Sequence, residues 1–385
     1  KTDGTSATAT TAAYNAAFAS IPNYTGPITD EGTIGGICVR AIPGDYALNA
    51  TVQVVQNNVQ TAEYCFEGGG QFNTTLVWVG GNNADVMQFR RPDAGNIIHL
   101  TLRGFRIFNQ QTGVGAGAGL LRDRATGVNA IRLNATGGTA GINHVIIDDV
   151  QITYTDNGIV STGVNGINNL VIQNSKIEVY NQTNPVVDPR TDTPVVGHGT
   201  GIYFDSSSIP IDIQLINVAW YGQHYLLDAY GTVGVNRLTV HRSSVPSESA
   251  LRKRGFLRTS AFSGLDIQGN FVQSSSAGGS VPYPFIDLGT TSLGSSDISG
   301  GIIHGNEFLG GGFANPPAAI AITYGDGVSI LGNGFFTVGA AISLGDNAQH
   351  IYFPKQANNF IGVETELSAS SGAGYDDGSG LSDPE

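Results

Sequence analysis

The chain has 385 residues, 54 of them glycine, only 13% charged residues and a formal net charge of −13. So acidic a chain lacks the basic face that nucleic acid demands, which excludes nucleic acid as a partner. No run of about 18 apolar residues occurs, so no membrane span and no membrane partner are expected.

The opening residues carry no charged-then-apolar pattern, so an export signal is expected to be gone or never present. Residues 6–21 form the one good helix candidate, with Tyr14, Phe18 and Ile21 at helical spacing on an alanine-rich background. A lone amphipathic helix ahead of a strand-rich chain reads as a cap over an open core, which makes residues 1–36 an N-terminal cap region. A Gly/Pro-rich passage over 22–36 follows, then a strand and turn from Cys38 to Tyr46. The two cysteines, Cys38 and Cys65, lie about one coil apart and are either a disulfide between adjacent rungs or two buried thiols.

From 37 to 367 one short unit returns again and again: β-favouring apolar residues, a small polar turn residue, then another apolar pair. It reads Val145-Ile146-Ile147-Asp148-Asp149-Val150, later Leu170-Val171-Ile172-Gln173-Asn174-Ser175, and later still Val328-Ser329-Ile330-Leu331-Gly332-Asn333. Each such unit buries its apolar face only by stacking on the next, so the chain is expected to be one long β-solenoid domain. Asn174, Asn217, Asn270, Asn306 and Asn333 then fall into one column of turn residues. The tail, 368–385, is rich in Ser, Gly and Asp and is expected to be loosely held.

The opening Lys1-Thr2-Asp3-Gly4-Thr5, the helix ending Ala16-Ala17-Phe18-Ala19-Ser20-Ile21, and then Ile42-Pro43-Gly44-Asp45-Tyr46 and Val52-Gln53-Val54 resemble the start of pectate-lyase-like proteins. The resemblance implies an all-β, right-handed parallel β-helix with an N-terminal capping helix, and carbohydrate as the ligand. Members of that superfamily include polysaccharide lyases, glycoside hydrolases, uronan epimerases and phage tailspike depolymerases. It implies no particular reaction, because chemistry resides in the site rather than in the fold.

Each coil also carries a second strand. Among them are Ile202-Tyr203-Phe204-Asp205, Tyr225-Leu226-Leu227-Asp228, Phe256-Leu257-Arg258-Thr259 and Phe285-Ile286-Asp287-Leu288. Alternation turns Tyr203, Asp205, Leu226, Asp228 and Asp287 to the outer face. Stacked rungs lie roughly 4.8 Å apart, so Asp205 and Asp228 are expected as vertical neighbours, followed by Arg258 and Asp287. Two carboxyls that close raise the proton affinity of one, which suits a general acid beside an ionised base or nucleophile. Glycosidases use such a pair, so Asp205 and Asp228 are the catalytic candidates, with Asp287 in support and Arg258 binding substrate. The same column would also suit Ca²⁺, with Arg258 as the base of a uronan lyase. The plain alternative is that each aspartate caps a turn or sits solvated.

His198, in a Gly-His-Gly, and His224 precede the Asp205 and Asp228 strands and are candidate substrate contacts. Gly-His-Gly resembles part of the polygalacturonase signature, but no Arg-Ile-Lys follows and Asp148-Asp149 stands far upstream, where turn capping is the better reading of Asp149. A basic cluster of Arg237, Arg242, Arg252, Lys253, Arg254 and Arg258, with Lys176 further upstream, would suit an anionic sugar or simply balance charge in a loop. Tyr203, Trp220, Tyr221, Tyr230 and Tyr283 are candidate sugar platforms or ordinary packing, whereas Trp78 reads as core. No nucleophile elbow, phosphate loop or zinc motif appears.

The expected function is therefore cleavage of a polysaccharide, by glycoside hydrolysis ahead of Ca²⁺-dependent lyase chemistry, without other cofactors. The alternative from another class is a non-catalytic, glycan-binding, tailspike-type protein. A secreted or virion location and a homotrimeric assembly accompany these readings.

Overall fold

The computed structural model describes residues 5–21, 38–55, 62–91, 96–109, 125, 127–135, 141–163, 167–179, 199–205, 210–222, 224–229, 234–246, 255–273, 284–289, 299–310 and 318–379. They fall into two units, one ending at Asp205 and the other starting at Pro210.

In the first unit the strands Val52–Val55, Asp85–Arg91, Asn129–Ala135, Asn157–Thr162 and Ile202–Phe204 form one parallel ladder. Val52, Met87, Ile131, Ile159 and Ile202 lie in register, and all five are buried. A second parallel ladder runs through Ala62–Glu67, Asn96–Asn109, Gly141–Thr155 and Ile167–Gln173. The second unit repeats the plan, with Leu227–Ala229, Leu257–Thr259, Ile286–Leu288, Ile320–Asp326, Ala340–Gln349 and Thr365–Ala369 as one parallel ladder. Ile211–Ile216, Val235–His241, Phe262–Gln268, Ser299–His304 and Val328–Leu331 form the other. Parallel pairing of strands one coil apart, with right-handed crossovers, is a right-handed parallel β-helix.

The turn between the two legs of the second ladder needs a residue in the left-handed region. Gly104, Asp149 and Asn174 fill it in the first unit, and Asn217, Arg242, Gly269, Gly305 and Gly332 in the second, all with φ between +50° and +70°. Gly, Asn and Asp tolerate that backbone, so this corner explains the recurring polar punctuation. Asp149 is thus a turn residue.

The expected single asparagine column is in fact two. Asn174 and Asn217 are exposed at the corner, whereas Asn270, Asn306 and Asn333 stand one residue later and are buried. Each buried side chain donates from Nδ2 to the next asparagine's Oδ1 at 2.8–3.3 Å, through to Asn358. Each also donates to a carbonyl of a neighbouring coil, such as Ile267 O at 2.9 Å from Asn306. Beside it the rings of Phe285, Phe308, Phe335 and Phe360 stack at 5.4–6.3 Å. A polar ladder inside an apolar core is tolerable only when every donor and acceptor is paired along the stack.

The helix spans Thr5–Ala19 and buries Ala7, Thr11, Tyr14 and Phe18. Tyr14 meets Phe66 edge-on at 5.7 Å and Phe18 meets Phe89 at 6.2 Å. Asn15 Oδ1 accepts the Gln53 N–H at 2.8 Å, so the helix satisfies a donor of the first strand in its ladder as well as covering apolar side chains. Cys38 and Cys65 are register partners and form a disulfide.

Part of the stretch expected to be loose is paired. Thr365–Ala369 pairs with Ala340–Leu344, and Tyr375–Asp376 pairs with Ile351–Tyr352, so backbone pairing holds the chain well beyond 368 despite its polar composition. Residues 380–385 lie outside the described residues.

Candidate active site

The Leu227–Ala229, Leu257–Thr259 and Ile286–Leu288 strands are only three residues long. Leu227, Leu257 and Ile286 are register partners, as are Ala229, Thr259 and Leu288, and all six are buried. Alternation then places Asp228, Arg258 and Asp287, the middle residues, together on the opposite face, directly over one another.

Asp228 and Arg258 are 2% and 7% exposed, so Asp228, expected on the outer face, is buried there, against the alternative of a solvated carboxylate; Leu226, also expected outside, is fully buried. Arg258 donates from Nε to Asp228 Oδ1 at 3.0 Å and from Nη2 to Oδ2 at 2.6 Å. Burial alone would pull the guanidinium below its ordinary value, but the hydrogen bond to Asp228 and that carboxylate's charge outweigh it and hold Arg258 above. Its guanidinium lies over the Tyr225 ring, 4.8 Å from the centroid. Tyr225 is buried, and its ring serves as the bed for Arg258. The ring in turn lies against the Gly255 backbone, where any Cβ would overlap it.

Asp287 is half-buried. Burial pushes its carboxyl up to about 6; Arg258 pulls it down and Asp228 adds to the rise. The column therefore contains one tightly paired carboxylate and one whose proton comes off in the mildly acidic range.

The other expected residues are placed as follows. His224 is buried, and its carbonyl accepts the Gly255 N–H at 3.3 Å. Trp220 is fully buried, which corrects its reading as an exposed sugar platform: a ring packed in the core cannot stack on a pyranose. Tyr203 and Asp205 are half-buried in the first unit, where Tyr203 is in register with Val160 and the Asp205 N–H donates to Ser161 O at 3.1 Å. Asp228, which the sequence paired with Asp205, has both oxygens engaged by Arg258 in the second unit. His198, Tyr230, Arg252, Lys253, Arg254 and Tyr283 lie outside the described residues.

Arg237 pairs with Asp212 at 3.3 Å, Lys176 with Glu178 at 3.1 Å, and Arg258 with Asp228, while Arg242 stands at a left-handed corner. Arg258 is accordingly better described as Asp228's partner than as a substrate clamp. Sequence reading missed Tyr225 and Gly255 as site residues. Their only signal was an aromatic and a glycine flanking the aspartate and arginine strands, which packing and turns explain equally well.

No protein-family model matches the chain, and no curated protein does. Among solved structures the chain is similar to the A-module of the Azotobacter vinelandii mannuronan C-5 epimerase AlgE6, at 13% identity and a TM-score of 0.43, covering 96% of this chain and 94% of that one. It is also similar to the Dettilon tailspike protein gp208, at 9% identity and a TM-score of 0.34, covering 96% of this chain and 66% of that one. A third is the catalytic unit of the GH87 α-1,3-glucanase from Streptomyces thermodiastaticus strain HF3-3, at 14% identity and a TM-score of 0.33, covering 95% of this chain and 66% of that one. The class that the strand pairing defines is that of the right-handed parallel β-helices, the fold the opening motif implied. Among the described residues no helix is long and apolar enough to cross a membrane.

Proposed function

We propose that this protein cleaves glycosidic bonds in a polysaccharide, with Asp287 as the general acid. The observation that carries this reading is the Asp228–Arg258–Asp287 column: one carboxylate engaged by Arg258 in a two-point pair, and beside it a half-buried carboxyl raised to about 6. A group of that affinity stays protonated under mildly acidic conditions and can still release its proton there, as a general acid must. In this step Asp287 gives its proton to the glycosidic oxygen as the bond to the anomeric carbon breaks; water adds to that carbon and releases its extra proton to the solvent, from which Asp287 is reprotonated. The reaction takes no cofactor.

The column supports hydrolysis over β-elimination. Elimination would need Arg258 to accept a proton, and its pairing with Asp228 holds the guanidinium charged. The Cys38–Cys65 disulfide supports an extracellular or virion setting, since such bonds persist in oxidising surroundings.

The test is a panel of neutral and acidic polysaccharides assayed for new reducing ends and for unsaturated products, with Asp287→Asn alongside. Reducing ends lost in the variant support the reading. Unsaturated products would move it to the lyases. Tight glycan binding with no product from any polymer would make the protein a non-catalytic binder.

A further inference from the structure

We propose that Tyr225 and Gly255 are positioning residues: the ring, seated on the glycine backbone, locks Arg258 in its two-point pairing with Asp228 and so fixes the charge facing Asp287. The inference rests on the reading of Asp287 as the acid, and it concerns how the column is built rather than what it cuts.

Arg258 is a long side chain on a strand of three residues, and its backbone does not dictate where the guanidinium goes. Holding such a chain in one rotamer costs conformational entropy, so a fixed arginine needs contacts along its planar face as well as at its edge. Asp228 takes the edge, with bonds of 3.0 and 2.6 Å. Tyr225 takes the face, its ring centroid 4.8 Å from Arg258 Cζ. A desolvated guanidinium over an aromatic face is a favourable contact, and here the ring is 1% exposed.

Gly255 supplies the space. It belongs to the chain leading into the Leu257–Thr259 strand, and a Cβ there would collide with the edge of the Tyr225 ring. No φ in the left-handed region accounts for this glycine, so close approach of the ring is its physical reason. Ring, glycine and arginine thus form one packed unit, with Asp287 in register one strand beyond Arg258.

The experiment follows the Asp287 carboxyl by ¹³C NMR through a pH titration, in the full chain and without substrate. Arg258→Met removes the neighbouring positive charge, and the midpoint rises by about one unit or more. Tyr225→Leu and Gly255→Ala free the guanidinium without deleting it, and the midpoint rises by about half a unit. Tyr225→Phe keeps the ring face and leaves the titration as it was. Wild-type titration in both Tyr225→Leu and Gly255→Ala, with Arg258→Met shifted, overturns the proposal. Should those variants not fold, the Arg258 Nε–H of the unaltered protein decides: slow exchange with water supports a locked guanidinium, and free exchange overturns it. Because no turnover is read, loss of the hydrolase assignment would leave this result standing.

Discussion

Asp228 and Arg258 face each other across adjacent parallel strands and share two hydrogen bonds while both are more than nine-tenths buried. Such a pair adds little net stability over an apolar pair of the same shape, yet breaking it strands a charge in a dry place. Asp228→Leu or Arg258→Met alone is expected to lower unfolding free energy by about 3–5 kcal/mol. The double variant Asp228→Leu/Arg258→Met recovers most of that loss. Urea unfolding of the four proteins measures the coupling, and a double variant as unstable as the sum of the singles would contradict it.

Asp287 links the same column to pH. Its native value of about 6 lies above the ordinary 3.8, so between those values the folded protein holds a proton that the unfolded chain has released. The contribution is full below about pH 4 and is lost as pH rises through about 6, a difference of up to roughly 3 kcal/mol. Thermal melts of the wild type should therefore lose stability over this window relative to Asp287→Asn, which has no such proton. Parallel pH curves for the two proteins would rule the assignment out. If Asp287 is the acid, the rate of sugar release falls over the upper end of the same range.

The asparagine ladder makes a separate prediction. Asn306 Oδ1 accepts from Asn270 N and Nδ2 at 3.0 and 2.8 Å, while its Nδ2 donates to Ile267 O and Asn333 Oδ1, both at 2.9 Å. Asn306→Ala takes a partner from Asn270 N–H and Ile267 O on one adjacent coil and from Asn333 Oδ1 on the other, and is expected to cost about 3 kcal/mol. Asn306→Asp keeps the acceptor but sets an oxygen against two others, so it should be worse at neutral pH than at pH 4. Asn217→Ala, at the exposed corner, should cost about 1 kcal/mol, chiefly through backbone strain. Chemical denaturation of the three variants ranks them.

These differences also mark how far the sequence could be read. Apolar alternation in Ile202-Tyr203-Phe204 and Phe285-Ile286-Asp287-Leu288 told inside from outside, because a strand has only two faces. The stacking of Asp228, Arg258 and Asp287 followed from coil repetition alone. What the repeat could not tell was depth. Asp228, Leu226 and Trp220 are buried, and a linear pattern carries no record of how deeply a side chain is covered. Nor could it separate Asn217 from Asn270, since one residue of offset at a tight corner turns a solvent-facing side chain into a core ladder. The Asp85–Arg132 pair at 2.8 Å, with Asn129 also donating to Asp85, was missed for a related reason. Its members come from strands whose outward polar residues look like ordinary surface.

The disulfide gives the last prediction. Cys38 and Cys65 are direct partners on adjacent strands, and Phe66, next to Cys65, packs under both Tyr14 and Phe18 of the helix. The bond closes a loop of 27 residues, a constraint worth about 3–4 kcal/mol on the unfolded chain. The Cys38–Arg40 strand is short, so little besides the bond and its ladder holds it in place. Reduction, or Cys38→Ser/Cys65→Ser, should therefore free the amides of residues 38–40 and loosen the helix contact before the rest of the protein responds. Hydrogen exchange with and without reductant reads this directly: protection is lost at 38–40 and across the helix, while Asn306 and Asn333 keep theirs. Uniform loss over all these amides would mean instead that the bond stabilises the whole chain at once, and that cap and ladder unfold together.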